Sequence, residues 1–361
     1  MVMKNSKKAV VLVITLWVLV LLSLIGLAFV RTVRVDARIS RYHKNNLQAL
    51  LLAKSGLTVL TADILADNNE FDSLSEDWLR KYSYTKEEME KKGITGAKTE
   101  NSLREFEVKD KDGKLLGTYS VRITDEMGKF NINAIDEAMD NMVKYLFDSV
   151  QSDNKEGIVG SILDWIDPDD LHRLNGAEEE YYKELSSPYH CKNGPLDTLE
   201  EMLFIRGITP QIFYGTDKSK GIASLVRIYP SKEESVRINV NTAPIEVLEA
   251  LLKEFGESLP QSILEQRSGR DGIEPSEDDE PFKNTQDILK LPSVVDVLTS
   301  LKKEEDKKGW TDRLIRRIDV RSSIFRVEST GRLKSYNIKR KITTILRRDP
   351  SGLKTVYWRE G

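Results

Sequence analysis

Asp164, Asp167, Asp169 and Asp170 fall within seven residues of the stretch ILDWIDPDDLHRLNGAEEEYY, and Glu178, Glu179 and Glu180 follow. Carboxylates at this density hold a hard cation, share a proton in acid–base chemistry, or stand solvated. Calcium takes about six to eight oxygen ligands, so such a run suits it. The spacing is not that of an EF-hand loop, because the glycine and the terminal glutamate are misplaced. On spacing alone the blander reading stands first: an Asp-rich helix end followed by a solvated acidic helix start. Trp165 and Ile166, between the aspartates, read as core.

Paired carboxylates alone do not make a hydrolase. His43, His172 and His190 are scattered, no Gly-x-Ser-x-Gly elbow occurs, and no phosphate-binding glycine loop is present. Cys191 is the only cysteine, so no intrachain disulfide can form. The chain has 361 residues, 39% hydrophobic and 31% charged, enough for one large or two modest domains. A net charge of −3 disfavours a nucleic-acid partner.

The elements that must position the acidic stretch begin with a membrane-like run. KKAVVLVITLWVLVLLSLIGLAFVRTVR carries no charge from Ala9 to Val30. As a helix that span is about 33 Å long, which matches a hydrocarbon core of about 30 Å. A secretory signal has a shorter apolar core and a small-x-small cleavage site, which is missing here. Lys4, Lys7 and Lys8 precede the run, and Arg31, Arg34, Arg38 and Arg41 follow it, so basic residues do not set its orientation. No proline occurs from Val30 to Leu65, and Leu47, Leu50, Leu51, Leu57, Leu60 and Ile64 recur at helical spacing. The membrane helix is therefore expected to continue, unbroken, into an amphipathic helix that packs on a soluble domain.

Residues 67–102 are polar and read as loop or short helix. REFEVKD and GTYSVRITDE alternate around the turn DKDG and read as a β-hairpin; FNIN, Phe130–Asn133, extends that sheet or leaves it. Helical patterns follow near 135–151, 155–166, 176–186, 196–205, 209–214, 243–255, 259–268, 284–290 and 293–308. Alternation returns over 319–333, 334–349 and 353–360, with turns at KS and DPSG. The economical architecture is an α+β domain, its small antiparallel sheet interrupted by a large inserted all-α domain.

Within that insert, TLEEMLFIRGITPQIF reads as a helix, a turn at Gly207 and a second helix capped by Thr209 with Pro210 at its first position. INVNTAPIEVLEALL repeats the idea with Thr242 as N-cap, and DILKLPSVVDVL is a looser third. These helix-hairpin-helix-like units raise an alternative function, a membrane-anchored DNA-binding protein of competence type. Gripping a phosphate backbone needs free N–H groups and positive charge at the turns. Glu200, Glu201, Glu246 and Glu249 flank the first two, and Pro292-Ser293 replaces the glycine of the third. No nucleic acid is expected.

Taken in order along nearly the whole chain, KKAVVLVITLWVLVLLSL, FNINA, ILDWIDPDD…NGAEEEYY, KNGPLDTLEEMLFIRGIT and INVNTAPIEVLEALL resemble the general secretion pathway protein K family, minor pseudopilins of the type II secretion system. The resemblance implies a pseudopilin fold and no enzymatic activity. It divides the chain into a prepilin leader (1–9), a transmembrane helix (10–30), the pseudopilin helix with its first strands (31–133), an inserted α-helical domain (134–318) and C-terminal strands (319–361). A prepilin peptidase would cut between Ala9 and Val10 and methylate the new amine, although the family usually has Gly where Ala9 stands. Ile14 would be the fifth mature residue, where most pseudopilins carry Glu and protein K does not. The implied partners are the minor pseudopilins I and J and the inner-membrane assembly platform. Leu47, Leu50, Leu51, Leu57, Leu60 and Ile64 would form the seam to a partner helix. The implied site is inner membrane with the soluble domain in the periplasm. The family's α-domain is associated with calcium, which selects Asp164, Asp167, Asp169, Asp170, Glu178 and Glu179 as candidate ligands.

Overall fold

The structure, a computed structural model, describes residues 3–84, 103–136, 139–150, 155–216, 219–229, 237–334 and 336–361. Residues 85–102, most of the polar segment expected as loop or short helix, lie outside these, as does the turn residue Ser335. Helix α1, Met3–Ala66, runs unbroken for 64 residues. From Val10 onward its apolar first half is exposed, and it is the one helix among the described residues long and apolar enough to cross a membrane. Its second half lies across a sheet and buries Asn45, Ala49, Leu52, Ala53, Gly56, Leu60 and Ile64, one face at helical spacing.

Small residues set the distance between helix and sheet. A Cβ at Gly56 would lie 2.6 Å from the Tyr119 ring and 2.7 Å from Ser329 Oγ. A Cβ at Gly331 would lie 2.1 Å from the Ala49 carbonyl oxygen. The Ser329 hydroxyl donates to the Ala53 carbonyl at 2.7 Å. The expected partner seam therefore divides. Leu60 and Ile64 are covered by the chain's own sheet and are unavailable to a partner, while Leu47 is 55% and Leu51 52% exposed. Leu50 and Leu57 are half-buried. The leucines span more of the helix than one face, and the alanine–glycine stripe takes the sheet.

The sheet is five-stranded in the order β1-β2-β7-β8-β9. Its strands are β1 (Phe106–Lys109), β2 (Leu115–Asp125), β7 (Ile324–Leu333), β8 (Ile338–Asp349) and β9 (Gly352–Glu360), with every neighbour antiparallel. β2 pairs β7 from Gly117↔Leu333 to Asp125↔Phe325, so residues 126–323 leave and rejoin the sheet at adjacent points. α1 packs on one face of this sheet over Leu60, Ile64, Tyr119, Val121, Phe325 and Val327, with the short helix α2 (Asp77–Arg80) supplying Trp78.

Residues 126–323 form a second body with its own core. Its helices are α3 (Asp140–Ser149), α4 (Lys155–Ile166), α5 (Glu179–Lys183), α6 (Pro210–Tyr214), α7 (Ile245–Leu252), α8 (Leu259–Arg267), α9 (Thr285–Ile288), α10 (Pro292–Ser300) and α11 (Glu304–Arg317). It is not purely helical. Two-residue parallel ladders join β3 (Phe130–Asn131) to β4 (Val226–Arg227), and β5 (Ile238–Asn239) to β6 (Ile318–Asp319). Phe130 thus leaves the main sheet for this core, one of the two readings open for FNIN, and so does Val320, which alternation groups with the sheet strands.

Three local expectations change. The helix expected over 293–308 is two, broken around Leu301–Lys303, because Glu304, Glu305 and Asp306 start a new N-terminus that Arg316 and Arg317 balance at the far end. Thr242 does not cap α7, whose N-cap is Pro244; its hydroxyl donates instead to Asp125 at 2.5 Å. The second hairpin closes at Gly256 between α7 and α8, since INVN is strand and turn rather than helix. The first is as expected, with Thr209 Oγ1 accepting from the Ile212 N–H and Gly207 at φ 87°.

Where chain enters and leaves the inserted body, polar groups join the two. Asp125, buried, accepts from Met127 N at 2.8 Å, Ser322 Oγ at 2.6 Å, Asn239 Nδ2 at 3.2 Å and Thr242. Asp72 accepts from Ser322 N at 2.8 Å and Arg348 Nη1 at 3.0 Å. One knot therefore ties the loop after α1, the sheet and the helical body.

Candidate metal centre

Helix α4 buries Ile158, Val159, Ile162, Leu163, Trp165 and Ile166 on nearly all sides. Its last turn carries Asp164, also wholly buried, and Asp167 follows directly after. The chain then folds back along the helix. Gly176 packs so closely that a Cβ there would lie 2.0 Å from Asp164 Oδ2, and Gly160 approaches the Gly176 backbone. That return brings Glu178, 5% exposed, beside the two aspartates. One carboxylate oxygen from each of Asp164, Asp167 and Glu178 lies within 4.8 Å of the others, the one such group among the described residues.

Arg173, in the returning loop, is their counter-charge. Its backbone N–H donates to Asp164 Oδ2 at 3.2 Å, and its Nη1 to Asp164 Oδ1 at 2.9 Å and to Asp167 Oδ2. It does not satisfy the cluster. Both oxygens of Glu178 and Asp167 Oδ1 are buried without a hydrogen-bond partner. Burial, then the charges of Asp164 and Asp167, push the Glu178 carboxyl up to about 7. Burial also raises Asp164 against the pull of Arg173. Buried polar groups are normally hydrogen-bonded, so three unpartnered oxygens within one cluster of carboxylates fit a cation. Fully ionised, as a bound cation would hold them, three carboxylates against one guanidinium carry two net negative charges, and hard oxygen donors suit calcium.

Asp169, Asp170 and Glu179 are not part of this three-carboxylate group. Asp169 is exposed and accepts from the Leu171 N–H at 2.9 Å, closing its own turn. Asp170 accepts from Asn193 Nδ2 at 2.8 Å. Glu179 starts α5 with partners of its own: Lys183, then His190 and the Cys191 N–H, hold its carboxyl down at about 2. Sequence reading missed Arg173 and Asn193. Asn193 is left-handed at φ 49°, and its Oδ1 is buried without a partner. The Asn-Gly pair in KNGP signalled such a turn. Ala9, Val10 and Ile14 all lie within α1.

Comparison with known proteins gives this geometry a family. Two family models described as Type II secretion system (T2SS), protein K, match residues 128–215, which contain the acidic cluster, and residues 238–305. A putative type II secretion system protein K of Escherichia coli K12 is 24% identical over 75% of this chain and 77% of its own. The type II secretion system protein K of Pectobacterium carotovorum is 27% identical over 42% of this chain, and that of Klebsiella pneumoniae 28% over 36%. Those two matches span about half or less of the relatives, 49% and 40%. A chain in the crystal structure of the GspK-GspI-GspJ complex of enterotoxigenic E. coli shares the fold at TM-score 0.62 and 20% identity, covering 89% of this chain and 99% of its own. Both family-model matches fall in order inside the interrupted sheet, and with these relatives they support a type II secretion system protein K, a minor pseudopilin.

Proposed function

We propose that this chain is a non-enzymatic tip subunit of a secretion pseudopilus, capping it with minor pseudopilins I and J and supporting export of folded proteins across the outer membrane. The observation that carries the reading is α1. An uncharged run of membrane length passes without a joint into the helix that the sheet grips. Such a subunit stacks by its helix, and the second body, residues 126–323, adds bulk above the stem. Apolar Ile14 agrees, since a carboxylate deep in lipid costs about 3 kcal/mol unless paired, and a subunit with nothing ahead has no pairing to make. The solved relative was crystallised as a GspK-GspI-GspJ complex, which supports the same partners here.

On this reading prepilin peptidase removes residues 1–9, the inner-membrane assembly platform receives the processed chain, and the soluble bodies stand in the periplasm. Asp164, Asp167 and Glu178 hold calcium. The ion would neutralise their mutual repulsion and tie the end of α4 to the start of α5, with Gly176 leaving the room between. The test is the intact mass and N-terminal sequence of the protein from its own membrane, together with what copurifies. An N-methylated start at Val10 and bound I and J are expected. An uncut chain in a host with working prepilin peptidase would overturn the reading.

A further inference from the structure

α1 runs bare between its apolar half and the sheet. Arg31, Arg34, Arg38 and Arg41 are all exposed there, and Asn45 is the first residue of the helix buried by the sheet. At about 3.6 residues per turn and 1.5 Å per residue, the four arginines occupy an arc of about 80° and a length of about 15 Å. Asp36 lies across the helix, about 140° from Arg31. Among the described residues no carboxylate pairs with any of the four, and Arg41 Nε donates only to the Ala37 carbonyl at 3.2 Å.

The phase of this stripe is informative. Arg31, Arg38, Asn45 and Leu52 follow one another every seven residues, and the last two are buried against the sheet. The arginine face is thus the sheet-gripping face continued toward the membrane. By phase, that face lies on the side of the helix that the sheet covers further along. A bilayer surrounds an upright helix equally, so attraction to lipid phosphate gives no reason for a one-sided stripe in that phase. A protein partner seated on that side accounts for the one-sidedness and for the phase.

We propose that the Arg31–Arg41 face docks an acidic surface of a neighbouring pseudopilin seated beneath this chain's sheet. The inference rests on the assembly reading above. The test co-reconstitutes the full-length chain with purified minor pseudopilins I and J in phosphatidylcholine nanodiscs and measures the complexed fraction. The triple reversal Arg34→Glu, Arg38→Glu, Arg41→Glu should weaken the complex roughly tenfold, and added salt should weaken the wild type toward it. The triple lysine variant should stay within about threefold of wild type, because charge rather than fork geometry steers such contacts. His43→Glu, on the other side of the helix, should leave binding unchanged. Equal binding by wild type and triple reversal overturns the stripe and leaves the assembly reading standing. A loss seen only with phosphatidylglycerol in the disc also overturns it and gives the arginines to lipid. Failure of the wild type to bind overturns the assembly reading and this inference with it.

Discussion

Glu178 is buried beside Asp164 and Asp167 with neither oxygen hydrogen-bonded, the kind of group that costs stability unless a cation meets it. Glu178→Gln keeps the shape and removes the charge. In chelator the variant should be more stable than wild type by about 1–2 kcal/mol, and it should lose most of the stabilisation that calcium gives wild type. Thermal melts with and without calcium decide it; an unchanged calcium response would remove Glu178 from the site. Asp72 makes a second residue-scale case. Burial, opposed by Arg348, raises its carboxyl to about 6. A carboxyl whose folded value lies above its unfolded one stabilises at low pH, and that contribution is lost as pH rises through about 6. Asp72→Asn cannot ionise, so relative to wild type it should gain up to about 3 kcal/mol between pH 4 and pH 7.5. Denaturant midpoints at the two pH values measure the gain; a difference constant with pH contradicts it.

At the scale of elements, α1 shows two kinds of leucine on one helix. Leu60 is wholly buried in the sheet core, and Leu51 is 52% exposed. Leu60→Ala should cost about 2–5 kcal/mol, while Leu51→Ala should change monomer stability by less than about 0.5 kcal/mol. Urea midpoints of the soluble domain separate them, and equal costs would mean the helix is rotated from its place here. The contrast shows what sequence carries. The length of α1, the β1–β2 hairpin, α4 and the Thr209 cap were legible because each rests on local periodicity or one local bond. The rotation of α1 was not. Ala49, Ala53 and Gly56 take the sheet because Gly331 and Ser329 come close, and those lie far along the chain. The two-residue ladders β3–β4 and β5–β6 carry too few residues to show a period. In the acidic stretch composition revealed the chemistry, but Glu178 and Glu179 are adjacent and point to different neighbours. Only the return past Gly176 distinguishes them.

At the scale of the whole molecule there are two main cores, not one. The sheet core contains Leu60, Trp78, Tyr119, Phe325 and Val327; the helical core runs from Phe130 to Val320 and contains Trp165. What joins them is mostly polar, the knot of Asp125, Asn239, Thr242, Ser322 and Asp72, with a small apolar contact of Met127, Ile324 and Ile345. Separate apolar cores with a polar joint unfold as separate units unless the joint is worth as much as either core. Trp78 reports the first core and Trp165, whose helix carries Asp164, the second. In variants whose only tryptophan is Trp78 or Trp165, the two emissions should report different transition temperatures on heating. Calcium raises the stability of whichever unit binds it by about 2.7 kcal/mol at a hundredfold excess over Kd, and it does so only there. The Trp165 transition should therefore move up with calcium and down with chelator while the Trp78 transition stays within a degree or so. A common shift of both would show that the polar knot couples the two bodies into one cooperative unit, and calcium would then stiffen the stem as well as the head.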